Sequence, residues 1–241
     1  MVKKPTALLS IAGFDPTGGA GIIRDILTFK HFGYYGISVI TANTSQNTKG
    51  VKSIIFEPCE IIKEQLTLLF EEFEIKGVKI GLPHKDYNFN VWLANFLKDK
   101  QIPIVFDPVI KPTAGRSFVE NLNTITPLIE TSTVITPNES EFNLLKNCID
   151  TSKIPWTIIK GKKEKNSVSD LLLKSGKTID RITHEKDTLE IHGTGCAFSS
   201  ALLALMIKEK KTEIAFRKAV EFLSNFRKQA TEGLKQRIYT E

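Results

Sequence analysis

The chain is poor in cysteine. Cys59, Cys148 and Cys196 are an odd number with no close pair in 241 residues, which argues against a disulfide framework and against a zinc site. Long apolar runs are missing too, and nothing approaches the roughly 18–20 residues of a membrane-spanning helix. The opening MVKKPTALLSIAGFD puts two lysines before a short apolar segment, as a signal peptide does. It runs straight into glycine-rich sequence with no small-residue cleavage site, so it reads as a first buried strand of a cytoplasmic protein. Repeats, low-complexity linkers and composition breaks are absent, which leaves one domain over residues 1–241. Neither the P-loop pattern nor the dinucleotide fingerprint occurs. A nucleic-acid module is also lacking. The formal charge of +6, from 33 Lys and Arg against 27 Asp and Glu, is spread along the chain except near KGKKEK. Nucleic-acid binders concentrate such charge; a small anionic substrate or a solvated surface accounts for it better.

What is present is an ordinary globular composition, 41% hydrophobic and 25% charged. Strand-like apolar runs alternate with helical spacing. Ala7–Ala12, Ile37–Thr41, Val51–Phe56, Val78–Ile80, Ile102–Phe106, Val134–Thr136 and Thr157–Lys160 read as strands. Gly18–Lys30, Ile61–Phe73, Val91–Leu97 and Glu139–Lys146 read as helices, and two more close the chain. Val168–Lys174 and Thr178–Ile182 read as a hairpin through Ser175-Gly176. Such alternation predicts an α/β fold with a mostly parallel sheet covered by helices on both faces. Ligands bind beyond the C-terminal strand ends of such sheets. That rule singles out Asp15, Gln46, Asp107, Asn138 and the loop before Cys196.

The segment EIHGTGCAFSSALLALM places a glycine turn before a buried, apolar helix. The free N–H groups of its first turn and the helix dipole make an anion site there. Cys196 stands in that field, which favours thiolate; the alternative is an inert core cysteine. Other motifs carry two readings each. AGFDPTGGAG is either a ligand-approaching loop or a tight strand-to-helix turn. Asp25 borders an apolar helix face, where a carboxylate needs a partner or exposure; it reads as a ligand for an amino group or as a surface acid. Gln46 in TANTSQNTKG offers an amide to a heterocycle or belongs to a polar loop. Asp107, Asn138 and Glu141 are candidates for Mg²⁺ and phosphate chemistry, or a turn and a capping arrangement. His192 orients a neighbouring group or is structural. Lys160 reads as a phosphate contact or as part of a basic loop.

Taken together and in order, AGFDPTGGAGIIRD, YYGISVITANTSQNTKGV, VKIGL, FDPV, ITPNESE, KG and HGTGC resemble the phosphomethylpyrimidine kinases of thiamine biosynthesis, in the ribokinase-like superfamily. The resemblance runs from the first strand to the helix after Cys196. It implies a three-layer ribokinase-like sandwich and phosphorylation of 4-amino-5-hydroxymethyl-2-methylpyrimidine by MgATP, then of its monophosphate. It implies that Gly13, Asp25 and Gln46 lie at the pyrimidine, with Asp107 and Glu141 at Mg²⁺ and Asn138 and Lys160 at the ATP phosphates. Gly193, Thr194, Gly195 and Cys196 match the anion hole, where Cys196 replaces the aspartate base common in the superfamily. A homodimer is implied as well, and a monovalent cation is an open question.

Several positions depart from the family pattern. Phe14 replaces a small polar residue, and Leu82-Pro83 stands for Met-Leu. Thr113 takes the place of a lysine, with Lys111 nearby. Residues 145–156 lack most of a helix, and Lys162-Lys163 replace a glycine and a histidine. Two rival readings remain. One is a pyridoxal or pyridoxine kinase; the other is a non-catalytic relative that binds pyrimidine phosphates.

Overall fold

The computed structural model describes residues 4–47, 49–110, 118–119, 121–185 and 191–229. Nine strands form one sheet: β1 (Thr6–Phe14), β2 (Tyr35–Asn47), β3 (Gly50–Phe56), β4 (Glu74–Ile80), β5 (Ile104–Phe106), β6 (Val134–Ile135), β7 (Trp156–Lys163), β8 (Ser167–Lys174) and β9 (Lys177–Glu185). Their order is β3-β2-β1-β4-β5-β6-β7-β8-β9. From β2 to β7 every neighbouring pair is parallel, while β3, β8 and β9 add antiparallel edges. Among the described residues the α-helices are α1 (Gly21–His31), α2 (Cys59–Glu72), α3 (Tyr87–Lys98), α4 (Thr126–Thr131), α5 (Glu139–Leu145), α6 (Thr194–Glu209) and α7 (Thr212–Lys228).

Alternation along β1 assigns the layers. Ala7, Leu9 and Ile11 pack with Ile62 and Leu66 of α2, Leu93 of α3 and Leu128 of α4. Leu8 points the other way, toward Phe29 of α1, Phe198 and Leu202 of α6 and Phe216 of α7. The period of two along a strand thus feeds two cores, one on each side of the sheet. This is the expected three-layer sandwich. No helix among the described residues is long and apolar enough to cross a membrane.

The structure corrects the expected elements in several places. The polar TSQN segment is not a loop: it continues β2 and pairs antiparallel with β3, from Ala42 opposite Phe56 to Asn47 opposite Gly50. Its polar residues occupy the more exposed positions of an edge hairpin. Helix α1 starts at Gly21 rather than Gly18, because Asp15 accepts from the Thr17 and Ala20 backbone N–H groups and holds 16–20 as a turn. Helix α4 was missed in a segment with weak apolar spacing; Pro127 lies in its first turn. The expected hairpin is present, with Ser175 and Gly176 both at positive φ, 46° and 77°, as a type I′ turn requires. The short 145–156 stretch closes through a single 3₁₀ turn, Thr151–Lys153, capped by Asp150.

Candidate active site

A cavity of about 220 Å³ opens where the parallel strands end. Its walls come from the ends of β1, β2 and β4, from the loop after β5, from the start of α5 and from β7 and α6. Gly13, Gln46, Asp107, Asn138, Glu141 and Lys160 all line it, together with Gly193, Thr194, Gly195 and Cys196. Ten of the eleven residues that the resemblance assigns to the site therefore meet in one place. Phe14 and Leu82, two departures from the family pattern, are also in the wall. Lys162 and Lys163 continue β7 and do not line it; the Lys163 backbone N–H donates to Glu139 instead, at 3.1 Å. Lys111 and Thr113 lie outside the described residues.

Asp25 is the exception and corrects the reading that placed it at the pyrimidine. Its side chain is fully buried beneath the cavity in an ion pair with Lys79, 2.8 Å away. Ser10 and Ser200 donate to its two oxygens at 2.6 and 2.8 Å. A buried carboxylate with three such partners, Lys79, Ser10 and Ser200, has its charge and hydrogen bonding met from within the protein. Asp25 is not among the residues that line the cavity.

At one end of the cavity, Asp15 accepts from Thr17 and the Ala20 backbone and meets His192 Nε2 at 2.7 Å. Burial alone would raise its pKa, but hydrogen bonds from His192, Gln46 and Thr17 outweigh that and hold it well below the usual carboxylate range. Gln46 therefore projects from β2 into the cavity toward a fixed negative charge. His192 does orient a neighbour, and that neighbour is Asp15.

Directly after His192, α6 begins. Gly193 has φ of 80°, and a Cβ there would fall 1.7 Å from the Gly19 carbonyl oxygen. Only glycine lets these two loops touch. A Cβ on Gly195 would lie 3.3 Å from Lys160 Nζ and 3.5 Å from Asp107 Oδ2. The helix start thus abuts the Asp107–Lys160 ion pair, whose oxygen and nitrogen are 2.6 Å apart. Thr136 also reaches Asp107, at 3.2 Å. Burial works against the Asp107 carboxylate, yet Lys160 and Lys79 hold its pKa below the ordinary value.

Two site residues behave differently from the simplest electrostatic expectation. Burial pushes the Cys196 thiol up to about 11; Lys79 opposes this, while Asp25 and Asp107 reinforce it. The expected thiolate-favouring helix field is overridden. A helix terminus supplies about 0.3–1 kcal/mol, less than the roughly 1.4 kcal/mol of one pKa unit. Glu141 completes the expected capping box with Asn138, its carboxylate accepting from the Asn138 backbone at 2.9 Å and from Ile110 at 3.4 Å. Burial nonetheless raises its pKa to about 7, with Lys160 opposing and Asp107 adding. The capping and ligand readings of Asn138 and Glu141 are therefore compatible: the cap holds them, and the cavity sees them.

Asp107 and Glu141 are the cavity's candidates for a divalent cation. Among the described residues no group of three or more His, Cys, Asp or Glu converges on a metal. That fits Mg²⁺ taken up with phosphate oxygens and water through one or two carboxylates, rather than a cage made of protein alone.

Lys79 was not anticipated as a site residue. The available signal was a lysine inside VKIGL, on a strand whose neighbours are all buried. A buried cation requires an anionic partner, and Asp25 had been noted as an acid in need of one. The sequence marks Asp15 and His192 separately; only folding brings them together, 177 residues apart in sequence.

A phosphate-accepting helix start set against a lysine-bearing aspartate belongs to the chemistry of small-molecule phosphotransferases. Known proteins agree. A profile of the family described as phosphomethylpyrimidine kinase matches residues 15–239. The hydroxymethylpyrimidine/phosphomethylpyrimidine kinase of Aquifex aeolicus is 37% identical over 236 residues, covering 90% of this chain and 92% of its own. The corresponding Haemophilus influenzae protein is 34% identical and covers 90% and 89%. Among solved structures, a Bacillus subtilis pyridoxal kinase in complex with ADP superposes with a TM-score of 0.82 at 27% identity, over 99% of this chain and 97% of its own. A Clostridium difficile phosphomethylpyrimidine kinase gives 0.74 at 27% identity, over 92% and 99%. The chain belongs to the phosphomethylpyrimidine kinase family.

Proposed function

We propose that this protein transfers the γ-phosphoryl group of ATP to the hydroxymethyl group of 4-amino-5-hydroxymethyl-2-methylpyrimidine, and then phosphorylates the monophosphate to the diphosphate. The observation that carries this reading is the contact between the α6 start and the Asp107–Lys160 pair, within one cavity that also holds Gln46. Phosphoryl transfer is catalysed by positioning and by charge stabilisation. The Gly193–Cys196 N–H groups supply the second, and Lys160 adds a cation for the ATP phosphates, next to Asn138. Asp107 and Glu141 would hold Mg²⁺, which neutralises phosphate charge when bound. Gln46, fixed by Asp15, takes the ring nitrogen and amino group of the pyrimidine, with Gly13 letting the backbone come close.

Cys196 is the proton acceptor for the hydroxyl in the first step. Its resting thiol is protonated, so this role needs cations at the site to outweigh burial. In the second step the acceptor is already a phosphate and needs no strong base. The alternative pyridoxine activity and a non-catalytic role are tested together. Hydroxymethylpyrimidine, its monophosphate and pyridoxine are offered separately with MgATP, and products are read by mass spectrometry. Pyrimidine mono- and diphosphates are expected. Product from pyridoxine alone, or binding without turnover, overturns the proposal. A cytoplasmic homodimer is part of the same reading on family grounds, and light scattering tests the dimer.

A further inference from the structure

Lys79 has no part in the chemistry above, yet its ammonium is wholly buried and lines the same cavity as Cys196. Stability is a weak reason for such an arrangement, since replacing a buried ion pair by apolar groups is often neutral or favourable. Its geometry suggests a better one. Cys196 and Ser200 are one turn apart on the same face of α6. Ser200 donates to Asp25 Oδ1 at 2.8 Å, and Asp25 Oδ2 accepts from Lys79 at 2.8 Å and from Ser10 at 2.6 Å. The lysine therefore stands under the turn that carries the cysteine. A Cβ on Gly81 would lie 2.7 Å from Lys79 Nζ, so glycine keeps that side of the ammonium clear.

Four charged groups act on the Cys196 thiol or respond to it. Lys79 comes from β4, Arg24 and Asp25 from α1, and Asp107 from the loop after β5. The two cations favour negative sulfur and the two carboxylates oppose it. Asp107 is already engaged by Lys160, and Arg24 donates to the Gly19 carbonyl at 3.3 Å and covers the Phe226 ring. Lys79 is the cation whose position is fixed by the cysteine's own helix.

We propose that Lys79 is a positioning residue for proton transfer: it is the buried positive charge against which Cys196 carries negative charge, held in place by Asp25, Ser10 and Ser200. It acts through Cys196 and does not touch the substrate. The inference rests on Cys196 as the proton acceptor. That step starts from the Cys196 thiolate, formed when the resting thiol gives its own proton to solvent; the substrate O–H bond then breaks and its proton goes to Cys196 Sγ. The new O–P bond forms as the γ-phosphorus–oxygen bond of ATP breaks, with the electron pair leaving on ADP. Solvent later takes the proton from the thiol.

The test reads the thiol without relying on turnover. The full-length protein is alkylated with iodoacetamide over a range of pH, and the Cys196 peptide is quantified by mass spectrometry. Lys79→Met is expected to slow alkylation about tenfold at a fixed pH below the midpoint, the effect of one unit of thiol titration. Asp25→Asn, which keeps oxygen and size but loses the negative charge, is expected to speed it. The pH profile of the first phosphorylation should move in the same two directions. A merely structural pair would shift neither variant, or both alike, and either result overturns the proposal. If Lys79→Met does not fold by circular dichroism, Lys79→Met/Asp25→Asn is compared with Asp25→Asn alone; a rate no slower in the double variant counts against the idea. A wild-type protein without kinase activity, but with these opposite shifts, would sink the proposed function and with it the proton transfer, leaving only the coupling of Lys79 to the Cys196 thiol.

Discussion

Ser200 donates its hydroxyl to Asp25 at 2.8 Å, joining residues 175 apart in the sequence. Its neighbour Ser199 reaches a second buried aspartate, Asp107, at 3.3 Å. Consecutive residues of one helix thus address two separate acid–lysine pairs, Asp25–Lys79 and Asp107–Lys160. The two contacts differ in kind. Ser199 also faces the carbonyls of Gly195 and Cys196 at 3.0 and 3.2 Å, the usual back-bonding of a helical serine. Ser200→Ala should therefore cost about 1–2 kcal/mol by removing a donor from a buried carboxylate, and Ser199→Ala less than half of that. Urea unfolding of the two variants checks the order; equal losses would contradict it.

Cys196→Ser separates the two phosphorylations. A serine hydroxyl is a much poorer proton acceptor, and only the first step begins with a neutral alcohol. The rate of monophosphate formation should fall about 10²–10³-fold, in the range of lost general-base catalysis, and that of diphosphate formation by much less. Equal loss in both steps, measured with each substrate supplied separately, would remove Cys196 from proton transfer.

Glu141 gives the stability a definite pH dependence. Its folded pKa of about 7 lies above the ordinary value of 4.5, so the folded protein binds the proton more tightly than the unfolded chain. The associated stability is present in full below about 4.5, declines as pH rises, and is gone above about 7. Glu141→Gln, which can still accept from the Asn138 backbone, should flatten this part of the profile. Denaturation midpoints taken in EDTA between these limits test it. An unchanged slope would place the proton elsewhere.

Gly193→Ala should be among the most damaging single-methyl changes in the molecule. The added carbon would collide with Gly19 O at 1.7 Å and sit at φ of 80°. Backbone shifts of this sort cost about 1–3 kcal/mol each from conformation and from overpacking. Activity should drop by more than the stability loss explains, because the α6 N–H groups move with the turn. A folded variant with full activity would show that the anion site does not depend on that contact.

Much of the architecture was legible because strand and helix periodicities differ and because few segments conflict with their neighbours. The parallel order followed from alternation, and the site followed from the rule that strand ends face ligands. Where the sequence misled, a local pattern competed with a partner far away. TSQN looked like a loop because its polar residues say nothing of β3. Asp25 looked like a ligand because Lys79, on another strand, could not be assigned to it. Cys196 looked activated because a helix start is visible in a motif, whereas the depth of burial is set by the whole fold. Helix α4 carried too little spacing to be seen beside the strands around it.

The touching loops at Gly19 and Gly193 also bear on biosynthesis. Asp15 and His192 meet across the same junction, so one half of the cavity is made early on the ribosome and the other only after β9 has emerged. A nascent chain halted before α6 would carry Gln46 and Asp15 but no anion-binding turn. Capture of substrate during translation should thus begin abruptly, when the last two helices are released, and not grow gradually as the sheet lengthens.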